Sequence, residues 1–458
     1  MLHSFPLPYR SDASAYFAAI RGLPWAAWLD SGGKGRFDIL VAKPAVTLTT
    51  QGELTEIRVS AGASLSPDDP FDLIREQLGE KIAPMPDIPF AGGALGYWGY
   101  DLARRYHRIS ECVPVAKSRP DMAVGIYDWA IVLDHQELSA RLVSRQRYAE
   151  TAQVLAQILE RLGKADAAAK AADTTPFRVQ GKIESNLGAA AYRNAFDTVK
   201  QYLLEGDCYQ VNLAQCFTAR ASGDAFAAYQ ELRHLSPAPY SAFLDWPQTQ
   251  ILCASPERFL LVKQGMVETR PIKGTRPRSA DPAKDMQFAT ELANHPKDRA
   301  ENLMIVDLLR NDLGKSCEPG SVRVPKLFEV ESFANVHHLV STVEGKLKGG
   351  RDALDVFRDC FPGGSITGAP KQRAMEIIEQ LEPTQRCVYC GAIGYVGHDG
   401  NMDSNIVIRT LEYSGNQIRF CVGGGIVADS QCDAEYQETL DKASAMLELL
   451  QQFGGMLA

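Results

Sequence analysis

The sequence predicts an α+β fold, in which helices and strands follow one another irregularly. Amphipathic segments such as 150–162 have the apolar spacing of a helix, whereas segments such as 208–217 are typical of strands. Hairpin signals recur, one at Gln264-Gly265 and one at Ser414-Gly415-Asn416. Because strands and helices do not alternate strictly, the pattern does not favour a doubly wound parallel sheet.

The composition is that of a globular enzyme. The chain has 458 residues, of which 45% are hydrophobic and 23% charged. Its net charge of −8 argues against nucleic acid or an anionic membrane surface as the main partner. No apolar run approaches the ~18 residues of a membrane span, and no signal peptide is visible. We expect the ten scattered cysteines to be free thiols in a reducing cytoplasm.

The clearest break in the chain is the small, polar segment 163–177. It follows the helix predicted at 150–162, whose apolar residues share one face. We therefore divide the chain into an N-terminal region, 1–175, and a C-terminal region, 176–458. The apolar residues on that helix face are Val154, Leu155, Ile158, Leu159 and Leu162.

Four further elements are predicted in the C-terminal region. Residues 190–206 form a helix that stops at Gly206, and residues 298–315 form another that ends at Gly314. A hairpin follows at 404–425. The last helix, 433–453, carries Glu438 and Lys442 four residues apart on one face.

The segment ETRPIKGTRPR, residues 268–278, places a lysine among arginines. Lys273 is flanked by Arg270, Arg276 and Arg278. Nearby positive charge lowers the pKa of a lysine, and a neutral lysine is a nucleophile. The alternative is a solvated basic turn.

A carboxylate lies upstream of this lysine. Two apolar runs flank Gln264-Gly265, and a hairpin there brings Glu257 and Lys273 to the same open end. A strict two-residue turn would put the two side chains on opposite faces. We therefore predict a three-residue turn, a bulge, or an irregular end at Ser255-Pro256. The pair is then an acid and a nucleophile; the alternative is a surface salt bridge worth about 0–1 kcal/mol.

Four other features have the residue types of a binding site. The glycine-rich stretch that begins the helix of 361–383 suits an anion, or is structural. Gly423–Gly425 allow close approach to the backbone, or mark a bulge. Arg409, predicted in mid-strand, suits a substrate carboxylate. Cys387 and Cys390 have metal or redox spacing, but we interpret them as part of a buried strand.

Together these segments resemble the chorismate-utilising enzymes. The matching motifs are SPERF, PIKGTRPR, KDRAENLMIVDLLRNDLG, FPGGSITGAPKQRAMEII and GGGIVADS, in the family's order over roughly residues 189–450. The family contains the large components of anthranilate and aminodeoxychorismate synthases, with isochorismate and salicylate synthases as relatives. The resemblance implies a large two-layered β-sheet core flanked by helices.

Two positions discriminate within the family. Lys273 resembles the lysine of the aminodeoxychorismate synthases, where anthranilate synthases carry alanine. Gln210 stands where isochorismate and salicylate synthases carry a water-activating lysine. The resemblance thus implies amination of chorismate at C4, for p-aminobenzoate and folate. The alternatives are the large component of anthranilate synthase and, from a different class, a non-catalytic amino-acid sensor.

The resemblance also implies the residues of the site. Glu257 would be the general acid and Lys273 the covalent nucleophile. Glu301 and Glu438 would bind Mg²⁺. The carboxylate and ring of chorismate would be held by Tyr395, Arg409, Gly423, Gly424, Gly425, His338 and Thr367.

Two further partners are implied. A tryptophan pocket in the N-terminal region would use Ser31, Arg36, Phe37, Pro239, Tyr240 and Ser241. No cysteine lies in a G-x-C-x-G turn followed by His-x-Glu, so no glutaminase is evident in this sequence. A separate glutamine amidotransferase subunit would therefore supply the ammonia.

Overall fold

A computed structural model describes residues 2–85, 87–110, 112–113, 119–164, 175–333 and 336–457. Most of the linker predicted at 163–177 lies outside these residues. The elements of the first 164 residues are β1 (His3–Leu7), α1 (Ser14–Ile20), β2 (Ala26–Asp30), β3 (Phe37–Val41), β4 (Val46–Gln51), β5 (Leu54–Val59), β6 (Gly62–Ser66), α2 (Pro70–Leu78), β7 (Gly93–Trp98), β8 (Met122–Tyr127), β9 (Trp129–Asp134), β10 (Ser139–Ser144) and α3 (Thr151–Gly163).

The remaining elements carry the motifs. They are β11 (Arg178–Ser185), α4 (Ala189–Glu205), β12 (Gln210–Ser222), α5 (Ala225–Leu235), β13 (Tyr240–Asp245), β14 (Gln250–Ser255), β15 (Arg258–Lys263), β16 (Met266–Thr269), β17 (Ile272–Pro277), α6 (Pro282–Asn294), α7 (Pro296–Ser316), β18 (Arg323–Ser332), β19 (Val336–Lys346), α8 (Ala353–Cys360), β20 (Gly368–Ala369), α9 (Lys371–Leu381), β21 (Ala392–Gly397), β22 (Met402–Ile406), β23 (Thr410–Ser414), β24 (Gln417–Ile426), α10 (Cys432–Gln452) and β25 (Met456–Leu457).

The described strands form two large, mostly antiparallel sheets. The first runs β1-β10-β9-β3-β2-β13-β14-β23-β24-β12-β11-β25, with β20 beside β12. The second runs β17-β19-β16-β15-β22-β21-β7-β8-β4-β5-β6, with β18 beside β19. Each sheet joins a block of strands from the N-terminal half of the chain to a block from the C-terminal half, because β2 pairs with β13 and β7 pairs with β21.

The two sheets pack face to face, and helices cover their outer faces. Strand β2 illustrates how one strand contributes to both packed faces, because its side chains alternate in direction. Ala27 belongs to the core between the sheets, whereas Trp28 packs on the helical side. The ring of Trp28 lies 5.7 Å from that of Phe17 in α1, centroid to centroid. The α+β class and the two-layered sheet core are therefore confirmed.

Several local predictions are confirmed as well. Helix α4 ends at Gly206, which has a left-handed φ of 80°. Hairpin β23–β24 turns at Gly415 and Asn416, both with positive φ. In α10 the Lys442 ammonium lies 2.7 Å from Glu438 Oε1.

The cysteine predictions need correction. Cys216 and Cys421, directly opposite on β12 and β24, form a disulfide, so not all ten thiols are free. Cys387 and Cys390 are buried but lie in a turn with positive φ, not in a strand. Among the described residues, no helix has the length and hydropathy needed to cross a membrane.

Candidate active site

Glu257 lies in the short connection between β14 and β15. Its amide donates to Ser255 Oγ at 3.3 Å, and its carbonyl accepts from the Ile406 amide at 3.0 Å, which fixes the backbone. Its side chain is buried, and Oε1 accepts a hydrogen bond from Ser365 Oγ at 2.9 Å. Burial raises the pKa of Glu257, against the opposing effects of Lys273 and Ser365. The carboxyl group is thereby suited to hold and deliver a proton.

Lys273 lies in β17 and reaches the same serine. Its Nζ donates to the Ser365 carbonyl oxygen at 3.3 Å. Burial lowers the pKa of Lys273, while Glu301 and Glu257 oppose that shift and Lys442 adds to it. Both shifts favour the neutral form of each group, so the site favours a protonated acid beside a neutral amine.

The hairpin between these residues differs from the prediction of a longer turn. Lys263 pairs directly with Met266, which makes the turn at Gln264-Gly265 a strict two-residue turn. The ladder runs only to the pair Leu261–Glu268, and β17 pairs with β19 instead. Glu257 precedes β15. The side chains therefore share a site because the strands end irregularly, as in the third predicted alternative.

The arginines near Lys273 do not act as predicted. Arg270 pairs with Glu331, Arg276 with Glu291 and Asp298, and Arg278 with Asp285. Carboxylates thus neutralise all three arginines. The cation that lowers the pKa of Lys273 is Lys442, contributed by α10, and burial has the larger effect.

Arg409 is a second centre of the site. It lies between β22 and β23 with a positive φ of 52°, not in mid-strand as predicted. Burial lowers the pKa of Arg409, with Tyr389 opposing, and Arg409 adds to the effect of burial in lowering the pKa of His338. No carboxylate among the described residues forms an ion pair with Arg409. A partly buried guanidinium without a carboxylate partner suits a substrate carboxylate.

Two predicted residues lie differently from expectation. Tyr395 packs against Phe90, with ring centroids 5.2 Å apart, at a separate cavity, so Tyr389 is the tyrosine beside Arg409. Thr367 is fully buried, and its hydroxyl donates to the Gly363 carbonyl at 3.0 Å. Ser365, two residues earlier, makes the contacts with Glu257 and Lys273.

The three glycines give the site its shape. A Cβ at Gly424 would lie 3.3 Å from Glu435 Oε2 and 3.7 Å from Glu438 Oε1. The Gly423 carbonyl accepts from Lys442 Nζ at 2.9 Å. A Cβ at Gly425 would lie 2.5 Å from Gln210 Nε2. The side-chain amide of Gln210 is buried, and neither its nitrogen nor its oxygen has a hydrogen-bond partner among the described residues.

The predicted metal carboxylates come together from two helices. Glu301 of α7 and Glu435 of α10 lie 3.9 and 3.6 Å from the Lys297 ammonium, and Glu438 lies one helical turn after Glu435. Burial raises the pKa of Glu301, and the charge of Glu435 adds to this. Burial acts to raise the pKa of Glu438, but Lys442 lowers it overall.

These carboxylates suit a hard cation. Within the described parts of the chain, however, no three His, Cys, Asp or Glu side chains are already arranged around a metal position. Water and a substrate carboxylate would have to complete a shell around Mg²⁺. Glu435 was missed from the sequence, although its spacing of three residues from Glu438 in a helix was visible.

A cavity of about 780 Å³ lies between the sheets. Five of the six predicted tryptophan residues line it: Arg36, Phe37, Pro239, Tyr240 and Ser241. The sixth, Ser31, lies behind Gly35, and its buried hydroxyl has no partner among the described residues. Arg36 is 2.7 Å from Asp134, and Arg258 is 2.9 Å from Asp403.

This fold and site define the class of the protein. Residues 26–448 match the family described as chorismate binding enzyme. The chain belongs to this family and is an enzyme of this kind, which removes the non-catalytic sensor as an alternative.

Among individual proteins, the chain is 49% identical over 453 residues to aminodeoxychorismate synthase component 1 of Klebsiella aerogenes, covering 97% of this chain and 98% of that protein. It is 37% identical over 431 residues to anthranilate synthase component 1 of Streptomyces coelicolor, covering 91% of this chain and 81% of that one. The crystal structure of anthranilate synthase component I from Streptococcus pneumoniae TIGR4 superposes with a TM-score of 0.78 at 32% identity, covering 90% of this chain and 92% of that one.

Proposed function

We propose that this chain is the large component of an aminodeoxychorismate synthase. It would convert chorismate and ammonia into 4-amino-4-deoxychorismate, the precursor of p-aminobenzoate and folate. The observation that carries the proposal is the meeting of Lys273 and Glu257 at Ser365, with pKa shifts that favour a neutral amine and a protonated acid.

The first half of the reaction uses both groups. Neutral Lys273 attacks C2 of chorismate, the ring double bonds shift, and the C4–O bond breaks. Glu257 gives its proton to the departing 4-hydroxyl, which leaves as water. An ordinary lysine is neutral in only about one molecule in 2,500 at pH 7, which costs about 4–5 kcal/mol. Burial and Lys442 reduce this cost.

The second half reverses the shift. Ammonia adds at C4, the double bonds return, and the bond between C2 and the Lys273 nitrogen breaks. The Glu257 carboxylate accepts a proton from the incoming nitrogen, and the released lysine regains a neutral amine. The enzyme thus returns to its starting protonation state.

Substrate binding is assigned to the groups around this pair. Arg409 and Tyr389 would hold a carboxylate of chorismate, together with the backbone of Gly423–Gly425, while His338 would line the ring pocket. Thr367 would not contact the substrate but would stabilise the turn that carries Ser365, through its hydrogen bond to the Gly363 carbonyl. Tyr395 is not assigned to substrate binding, because it lines the inter-sheet cavity. A partly buried cation and a phenol side by side support this assignment.

Mg²⁺ is the proposed cofactor. Glu301 and Glu438 would hold it, with Glu435 as a third candidate, and the bound cation would neutralise a carboxylate of chorismate. The support is the acidic lining of two helices beside Lys273.

Two partners complete the proposal. A separate glutamine amidotransferase subunit would supply ammonia to this component, which would act in the cytoplasm. Tryptophan would occupy the inter-sheet cavity, because the predicted residues line it or lie behind it and the Ser31 hydroxyl lacks a partner.

Anthranilate synthase is the second candidate function. The lower identity of its representative and the presence of Lys273 both disfavour it. The purified chain, incubated with chorismate, Mg²⁺ and an ammonium salt, should form 4-amino-4-deoxychorismate. Anthranilate as the product would refute the assignment, and unchanged chorismate would refute both candidates.

A further inference from the structure

A buried arginine, Arg386, lies next to the active site but does not line it. Arg386 is only 2% exposed. Its Nε and Nη2 donate to the two oxygens of Glu382 at 2.9 and 2.6 Å. The Tyr100 and Tyr389 rings flank its guanidinium, with centroids 4.8 and 5.8 Å away. Because protein atoms enclose it, Arg386 cannot touch the substrate.

Its remaining hydrogen bonds reach the turn that carries Ser365. Arg386 Nη1 donates to the Ile366 carbonyl at 2.9 Å, and Nη2 donates to the Asn212 carbonyl at 2.6 Å. Asn212 fixes the same turn, since its side chain donates to the Ile366 carbonyl and its amide to the Thr367 carbonyl, both at 2.9 Å. The clamped carbonyl is one residue from the serine that contacts Glu257 and Lys273.

The same guanidinium also borders the other half of the site. Tyr389, which lies beside Arg409, follows Arg386 by three residues in the chain, and its backbone amide donates to the Arg386 carbonyl at 3.2 Å. Glu382 ties the cluster to β12 by accepting from the Ala214 amide at 2.9 Å. The backbone of Arg386 therefore belongs to the turn that carries Tyr389, while its rigid, planar guanidinium lies over the Tyr389 ring and hydrogen-bonds the Ser365 turn.

We propose that Arg386 is a positioning residue that fixes the Ser365 turn relative to Tyr389, and so aligns the Glu257–Lys273 pair with the carboxylate-binding side of the pocket. The inference rests on the proposed function, because Glu257 and Lys273 are taken as the reacting pair. Lysine at this position keeps the charge but lacks the planar fork that serves four acceptor contacts at once.

The first test is kinetic. In Arg386→Lys we expect kcat/KM for chorismate to fall about 10²-fold, as for a displacement of reacting groups by about 1 Å. Both kcat and KM should change, since both halves of the pocket loosen. The Ser365 hydrogen bond lowers the pKa of Glu257, so its weakening should move the basic limb of the pH profile to higher pH.

A double-mutant cycle identifies the route. If Arg386 acts through Ser365, the effects of Arg386→Lys and Ser365→Ala on kcat should not multiply in the double variant. The matched control is Arg21→Lys, because Arg21 also binds a carboxylate through two nitrogens, in Asp224, and lies over a ring, that of Phe226 at 4.6 Å. The control should lose stability without altering kcat or the pH limb.

Hydrogen–deuterium exchange tests the clamp without turnover. Amides of residues 361–370 should exchange faster in Arg386→Lys than in the wild type and in Arg21→Lys. Should Arg386→Lys not fold, Glu382→Gln provides the same comparison with a smaller expected loss, about 10-fold in kcat/KM. Unchanged exchange, or fully multiplicative kinetic effects, would overturn the inference. A wild type that leaves chorismate unchanged would refute the proposed function, whereas the exchange result would still decide the clamp.

Discussion

The active site and the inter-sheet cavity differ in the pairing of their arginines. In the cavity, the arginines of the lining are paired with carboxylates: Arg36 with Asp134, Arg258 with Asp403 and Arg270 with Glu331. In the active site, Arg409 has no carboxylate partner among the described residues, and burial lowers the pKa of Lys273. The cavity thus has the chemistry of a binding pocket, whereas the charges that could drive a reaction lie around Lys273 and Arg409.

The largest expected effect comes from the lysine itself. Lys273→Ala should lower kcat by about 10⁴-fold or more, as when a covalent nucleophile is removed. Intact-protein mass spectrometry during turnover should show a chorismate-derived adduct on the wild type only. Lys326→Ala, at an exposed lysine of β18, is the control and should behave as the wild type. An adduct on the alanine variant would assign the nucleophile to another residue.

The carboxylates of the two helices should rank next. Glu301→Gln and Glu438→Gln should each reduce turnover at saturating chorismate by about 10²-fold or more and raise the Mg²⁺ concentration required, because each change removes an anionic oxygen ligand. Titration of activity with Mg²⁺ measures this, and calorimetry should show little change in Tm. Glu448→Gln, on an exposed position of α10, is the matched control. Wild-type Mg²⁺ dependence in both variants would make them ordinary helix surface residues.

The sequence predicted the two regions unequally. The two-layered fold brings the motif-bearing residues Glu257, Glu301 and Glu438 close to Lys273. Arg409 lies beside Tyr389 and near His338. That these residues form the catalytic site stays a prediction. Four active-site contributions were not predicted: Ser365, Tyr389, Lys442 and Glu435. Their roles depend on where a turn or helix presents a side chain, which residue spacing alone does not determine.

The arginines near Lys273 illustrate the same limit. Proximity along the chain suggested that they lower the pKa of Lys273. Only Arg276 shares β17 with Lys273, however, and each of the three arginines pairs with its own carboxylate. The hairpin shows a further limit. Local turn chemistry favoured the two-residue turn that is found, whereas the ends of β15 and β16 depend on pairing with β19 and β22.

A pH measurement sharpens the comparison. Activity needs Lys273 neutral and Glu257 protonated, so it should fall at low pH as Lys273 gains a proton and at high pH as Glu257 loses one. Lys442 acts to lower the pKa of both groups. Lys442→Met should therefore move both limbs of the kcat/KM profile to higher pH. Arg278→Gln is the control and should leave both limbs in place, because Asp285 already neutralises Arg278. A shift in the control alone would restore the role first predicted for the arginines.

The smallest effect is expected in the cavity. The Ser31 hydroxyl is buried without a partner among the described residues, so a bound tryptophan could supply one. Ser31→Ala should weaken tryptophan binding by about 5–10-fold, the equivalent of one hydrogen bond of about 1 kcal/mol. Isothermal titration calorimetry measures this, with Ser444→Ala on the exposed side of α10 as the control.

The same variant tests whether the two regions are independent. We expect kcat for chorismate to stay within about twofold of the wild type, since the paired charges of the cavity do not reach the reacting groups. Pro256 and Ile272 do line the cavity, however, and they adjoin Glu257 and Lys273 in sequence. A change in kcat on adding tryptophan to the wild type, lost in Ser31→Ala, would show that these two residues couple the cavity to the site. If calorimetry detects no tryptophan binding to either the wild type or Ser31→Ala, tryptophan is not the occupant of the cavity.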